Sequence, residues 1–174
     1  MKQILETDRL FLREFHLSDA EKMYELNADP EVIRFTGDPP FTSIEKAQKF
    51  LENYTDYQKN GYGRWAVIEK STGEFIGWCG LKYNEEKLVD IGFRLFRKTW
   101  NKGFATEAAA ATLAYGFNEL KLEEIIGRAS EENKASISVL MKLGMNFWKL
   151  SAFEGIGYTA YYRIDKKQFY ENRG

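Results

Sequence analysis

Apolar positions along the chain alternate between two periods, and the switches mark out its elements. Arg9 to Phe15 (RLFLREF) alternates as an opening strand. Ser18 with Glu21 three residues later forms a capping box, after which Ala20, Met23 and Leu26 share one helical face. Asp29-Pro30 closes that helix, because the residue before a proline is pushed away from helical angles. Thr42 and Glu45 repeat the box ahead of Ala47, Phe50, Leu51 and Tyr54, with Gly61 and Gly63 as terminators. Arg64–Glu69 and Phe75–Tyr83 are strands joined by the short turn Ser71-Thr72-Gly73, and Leu88–Phe96 is a third. A long helix starts near Gly103 with Ala109, Leu113, Gly116, Phe117 and Leu120 on its inner stripe. Glu124–Ala129 returns to strand, Asn133–Leu143 is helical up to Gly144, and Met145–Leu150 with Tyr158–Ile164 makes a closing hairpin before a polar tail.

The order β-α-α-β-β-β-α-β-α-β-β contains a hairpin-built antiparallel meander and one β-α-β crossover into a parallel neighbour. It predicts an α/β (α+β) domain, a mixed and mostly antiparallel sheet with helices on both faces. No repeat, low-complexity run or linker interrupts residues 1–174, so one domain is expected.

Composition narrows the classes. Hydrophobic residues at 44% and charged ones at 29% fit a packed globular chain. Twenty-five basic against twenty-six acidic side chains leave a net charge of −1, so no overall field gathers nucleic acid or anionic membrane. The N-terminal MKQILETDRLFLREF has no continuous apolar stretch for a signal peptide, and no window approaches the roughly 20 apolar residues of a membrane span, which makes the cytoplasm the expected location. Cys79, the single cysteine, excludes an internal disulfide and reads as a small buried strand side chain. The lone His16, between a strand and a helix start, reads as a loop or cap residue, and no metal site is expected.

The chemistry concentrates in Val89 to Phe117, where a strand runs into Lys102-Gly103-Phe104-Ala105-Thr106 and this turn opens a helix. Small residues at Gly103 and Ala105 admit a ligand close to the backbone, and the first amides of the helix point outward with the positive end of the dipole. That is an anion site suited to a pyrophosphate, with Lys102 adding a cation and Thr106 a hydroxyl. It is neither a Walker loop nor a dinucleotide fingerprint, since the required glycines are missing. Taken alone, the turn also fits an ordinary helix start.

The segment Trp100-Asn101-Lys102-Gly103-Phe104-Ala105 resembles motif A of the GNAT acetyltransferases, whose turn reads Gln/Arg-x-x-Gly-x-Gly/Ala. Asn133-Lys134-Ala135-Ser136-Ile137 with Lys142-Leu143-Gly144-Met145 resembles motif B. Thr7 to Arg13, Asp29 to Val32 and Trp100 to Ala108 are similar to the branch that acetylates ribosomal-protein N-termini. The likeness covers nearly the whole chain. It implies an N-acetyltransferase that uses acetyl-CoA as cosubstrate and a primary amine as acceptor, a protein N-terminus or a small molecule, with a homodimer as a possible assembly. It also assigns sites. Phe93, Arg94 and Leu95 match the strand edge that pairs with the pantetheine arm, Asn101, Lys102, Gly103, Phe104, Ala105 and Thr106 the pyrophosphate loop, and Asn133 an asparagine that contacts the cofactor. Trp100 stands where Gln or Arg is usual, and Leu140 where many relatives carry a thiolate-protonating tyrosine. Ser136 is the hydroxyl that the ribosomal-type enzymes offer instead, although it equally fits a first-turn serine bonded to an Asn133 cap. Leu140 keeps a second function open, a non-catalytic acyl-CoA sensor.

Asp90 is the candidate general base. Strand alternation sets it with Gly92 and Arg94, opposite Val89, Ile91, Phe93 and Leu95; the bland alternative is an exposed acid or a partner of Arg94. The pairs Glu85-Glu86, Glu123-Glu124 and Glu131-Glu132 read as solvated turn and strand-start charge, with attraction of a cationic substrate as the alternative. Phe35, Tyr62, Trp65, Tyr158 and Tyr161 are core aromatics by default, with lining an acceptor cleft as the alternative.

Overall fold

In the computed structural model, residues 2–153 and 157–174 are described. Eight strands form one sheet in the spatial order β1-β2-β3-β4-β5-β6-β8-β7. They are β1 (Gln3–Glu6), β2 (Leu10–Arg13), β3 (Arg64–Glu69), β4 (Phe75–Tyr83), β5 (Val89–Leu95), β6 (Glu124–Ser130), β7 (Asn146–Phe153) and β8 (Gly157–Asp165). Every neighbouring pair is antiparallel except β5 with β6. The helices are α1 (Ala20–Ala28), α2 (Pro30–Ile33), α3 (Ile44–Glu52), α4 (Asp56–Asn60), α5 (Phe104–Asn118), α6 (Lys134–Lys142) and α7 (Lys166–Arg173). The mixed, mostly antiparallel sheet with helices on both faces is as the pattern predicts.

Alternation divides the apolar side chains of the central strands between two cores. Trp65, Val67, Cys79, Leu81, Ile91 and Leu95 meet Ala108, Ala109, Leu113 and Phe117 of α5 on one face. Ala66, Ile68 and Phe75 meet Met23, Leu26, Ala47 and Leu51 of α1 and α3 on the other.

Boundaries shift where local hydrogen bonding is better served by a neighbour. The capping box is His16 with Asp19, not Ser18 with Glu21, and it opens a 3-10 turn, Leu17–Asp19, that leads into α1; the His16 ring accepts from Ser18 N and the His16 amide donates to Asp19. Ser43, not Thr42, caps α3 by accepting from Lys46 N. Asp29 ends α1 and also caps α2, with Pro30 at its first position. The polar tail is helical: Asp165 and Gln168 form a capping box, and Phe169 stacks on Phe117 at 4.8 Å.

Candidate active site

Strands β5 and β6 run side by side and then part. Their parallel register consists of Asp90 with Ile126 and Ile91 with Gly127, and stops there. Beyond it β5 stays paired with β4 as far as Leu95, and β6 with β8 as far as Ser130. The opening between them is part of a cleft of about 1270 Å³ that also runs past α1, α2 and α3. Gly92, Phe93, Arg94 and Leu95 line one side of it; Arg128, Ala129 and Ser130 line the other.

At the mouth lies the turn into α5. Asn101 and Gly103 both have left-handed backbones, with φ of 61° and 79°. Gly103 is the N-cap residue of α5, and no side chain caps the helix. The amides of Phe104, Ala105 and Thr106 therefore lack a capping side chain among the described residues and belong to the first turn, whose N–H groups have no partner within the helix. A β-carbon on Gly103 would meet nothing nearer than an Arg9 guanidinium nitrogen at 3.4 Å, so its bare backbone is open to a ligand. Trp100 ties this turn to β5, its indole N–H donating to the Leu95 carbonyl at 2.9 Å. On the facing helix, Asn133 caps α6 by accepting from Ser136 N at 3.2 Å.

Nearly all the sequence-derived site residues gather in this cleft. Asp90, Phe93, Arg94, Leu95, Asn101, Gly103, Phe104, Ala105, Thr106, Asn133 and Ser136 all line it. Lys102 does not; its side chain is exposed and its carbonyl accepts from Arg9 Nη1 at 2.9 Å. Arg94 turns its side chain away from β6, toward Asn27 and Asp38. Ser136 uses its amide in the cap; among the described residues its hydroxyl has no protein partner. Leu140, 2% exposed, packs so closely over Gly127 that a β-carbon there would lie 2.6 Å from it.

Asp90 departs from the alternative of an exposed acid or a partner of Arg94. It is 3% exposed and does not pair with Arg94. One carboxylate oxygen accepts from Arg64 Nη2 at 2.6 Å, the other from Arg128 Nη2 at 3.0 Å and Asn84 Nδ2 at 3.1 Å. A carboxylate that already accepts three hydrogen bonds, two of them from guanidinium groups, and that water barely reaches is poorly placed to take a proton from a substrate. Arg64 is itself fixed: its backbone N–H donates to Tyr54 Oη, its carbonyl accepts from Tyr57 Oη, and its guanidinium donates to the carbonyls of Gly80 and Asp90. Gly92 makes room for it, since a β-carbon there would sit 2.7 Å from Arg64 Nη2.

Arg128 carries the charge network outward to Glu85, and Glu86 accepts from Tyr161 Oη at 2.9 Å. Both glutamates are exposed, as expected of turn charge, and each also holds an inner group, Glu85 the half-buried Arg128 and Glu86 the buried Tyr161. The Arg128 side-chain hydrogen bond holds the Glu85 carboxyl below its usual range. Burial pushes the Tyr161 hydroxyl up, with its bond to Glu86 adding to the rise. Tyr62, Trp65 and Tyr161 are core, Phe35 lines the cleft, and Tyr158 is exposed. Arg64 and Arg128 escape the sequence because no spacing links residues 64, 90 and 128; only the sheet register assembles them.

The family model for an acetyltransferase (GNAT) domain matches residues 9–146. The chain belongs to the GNAT acetyltransferase family. It is 36% identical over 144 residues to an uncharacterized N-acetyltransferase, p20, of Bacillus licheniformis, with 81% of each chain covered. A GNAT-family acetyltransferase from Bacillus anthracis superposes with a TM-score of 0.82 at 30% identity, covering 94% of this chain and 98% of that one. A spermidine N-acetyltransferase from Vibrio cholerae, solved with CoA and spermine, shares the fold at TM-score 0.81 and 18% identity, covering 94% of this chain and 99% of that one. The chain is accordingly an acetyl-CoA-dependent N-acetyltransferase of the GNAT fold.

Proposed function

We propose that this enzyme acetylates a primary amine, a protein N-terminus or a small-molecule amine, by direct attack within the β5–β6 cleft. The observation that carries the reading is the meeting of an unpaired strand edge (Gly92 to Leu95) with an uncapped helix start (Phe104 to Thr106) in one opening. An extended arm can pair with the first, and a pyrophosphate can rest on the second. Phe93 and Leu95 offer backbone to the arm, Asn101 to Thr106 form the phosphate cradle, and Asn133 stands across from them. Acetyl-CoA, when bound, supplies an acyl carbon activated as a thioester.

The protein's contribution is positioning, and the management of one proton at each end of the reaction. An amine of pKa about 10.4 reaches the site protonated at neutral pH and attacks only after losing that proton. With Asp90 held by Arg64, Arg128 and Asn84, the proton passes to water at the acceptor end of the cleft, and Asp90 acts by anchoring the two arginines. The Ser136 hydroxyl, which has no protein partner among the described residues, hydrogen-bonds the departing thiolate and relays to it the second proton, the one the nitrogen of the tetrahedral adduct sheds, so that the serine ends as it began. Amides of the β5 edge face developing oxyanion charge, where preorganised donors do most. The resemblance of Thr7 to Arg13 and Asp29 to Val32 to the ribosomal branch favours including protein N-termini among acceptors.

Release of free thiol from acetyl-CoA, followed against polyamines, amino sugars, amino acids and peptide N-termini, tests the function. Turnover with at least one class is expected. CoA binding with no turnover on any of them would favour a sensor, for which no observation of this structure speaks. Asp90→Asn separates anchor from base. An anchor lowers thermal stability and leaves the acidic limb of the pH–rate profile in place; a base loses that limb.

A further inference from the structure

The turn between β1 and β2, Thr7 to Arg9, reaches across the molecule to the start of α5. Thr7 Oγ1 donates to Glu107 Oε1 at 2.6 Å, and the Arg9 amide donates to the same oxygen at 3.0 Å. Arg9 Nε and Nη2 grip Glu107 Oε2 at 2.7 and 2.6 Å, while Nη1 donates to the Lys102 carbonyl. The guanidinium carbon lies over the Phe104 ring, 4.3 Å from its centroid, and Nη2 borders the space where a β-carbon on Gly103 would stand. One side chain thus contacts Lys102 and Phe104 on either side of Gly103, in a turn where Asn101 and Gly103 are left-handed.

We infer that Arg9 is a positioning residue for the phosphate cradle, and that it does two jobs there. The first is mechanical: it braces a turn with no ladder bonds of its own. The second is electrostatic. Glu107 is in the first turn of α5, where a carboxylate suits the helix dipole but opposes any anion docking on the same amides. Arg9 and Thr7 turn that carboxylate aside and balance its charge. Burial alone would raise the Glu107 carboxyl; the bonds from Thr7 and Arg9 outweigh it and hold it below its ordinary range, so it is charged at neutral pH. The inference rests on Phe104 to Thr106 being the pyrophosphate site, and the ligands chosen to test it separate the two ideas.

Titration calorimetry with CoA and with pantetheine, which lacks the pyrophosphate, needs no knowledge of the acceptor. Wild type is expected to prefer CoA. Arg9→Ala should weaken CoA about tenfold, the scale of losing hydrogen bonds to a charged group, and leave pantetheine nearly unchanged. Arg9→Ala with Glu107→Gln should regain part of the loss, because the stranded charge is gone. Arg9→Lys, which keeps the charge without the fork, should fall between, and it supplies the same contrast if the alanine variant does not fold. Undiminished CoA binding in both Arg9 variants, or equal losses toward both ligands, overturns the role of Arg9. A wild type indifferent between CoA and pantetheine overturns the cradle itself.

Discussion

Single positions in this enzyme are constrained by what lies against them more than by what they are. Asp90 is the sharpest case. As an isolated acid on a strand it looks like a base; surrounded by Arg64, Arg128 and Asn84 it is the hub of a buried ion cluster. Removing one partner from such a cluster leaves charge uncompensated, so Arg64→Ala is expected to cost about 3–5 kcal/mol in chemical denaturation. A loss below about 1 kcal/mol would show that the cluster is held together by something else. Gly92→Ala is a gentler probe of the same spot: the new methyl pushes the Arg64 guanidinium off its partners, and turnover should drop with the fold intact by circular dichroism. Cys79 shows burial acting alone. Its thiol is 0% exposed and burial pushes it up to about 11, the bond with Thr112 only partly offsetting the rise. At pH 8 it should ignore a chromogenic disulfide reagent for hours and react within minutes once denatured. Prompt labelling of the native protein would contradict that burial.

The elements follow patterns legible in the sequence, with one kind of exception. Strands β3 and β4 fall where alternation puts them, and α5 begins directly after Gly103, near where the small residues suggest. Errors concentrate at short or polar pieces. Strand β1 carries little alternation and exists because β2 offers it an edge; α7, polar over most of its length, is held by a capping box and the Phe169–Phe117 stack. The turn proposed as the phosphate cradle is legible because its requirement is local, a left-handed backbone beside a helix start. Its brace is not, since Arg9 and Glu107 are 98 positions apart. At Gly103 the left-handed φ predicts that Gly103→Ala loses about 1 kcal/mol of stability along with CoA affinity. The Glu107 clasp adds a pH signature. Its carboxyl is depressed in the folded state, so the stabilisation is complete above the unfolded value of about 4.3 and fades as pH falls through the lower folded value. The melting-temperature gap between wild type and Glu107→Gln should therefore be widest near pH 7 and narrow toward pH 3. A gap independent of pH would mean that the charge of Glu107 is irrelevant.

Across the whole molecule, two cores grip opposite faces of one sheet, and the cleft opens where that sheet divides. Ligand and stability are therefore linked: CoA at about 100 times its dissociation constant should add roughly 2.7 kcal/mol, visible as a higher melting temperature. No shift at saturation would mean that the cleft does not take CoA. The parting of β5 from β6 has a mechanical corollary. The Asp90–Arg128 pair ties the two strands beside their last shared rung, so they resemble the legs of a compass with a riveted hinge. The legs can breathe while the pivot stays still. Deuterium uptake along β5 and β6 should then rise from the pivot toward the tips, and filling the gap should slow the tips most. Loosening the rivet, with Arg128→Met, should let the gradient spread back through the hinge.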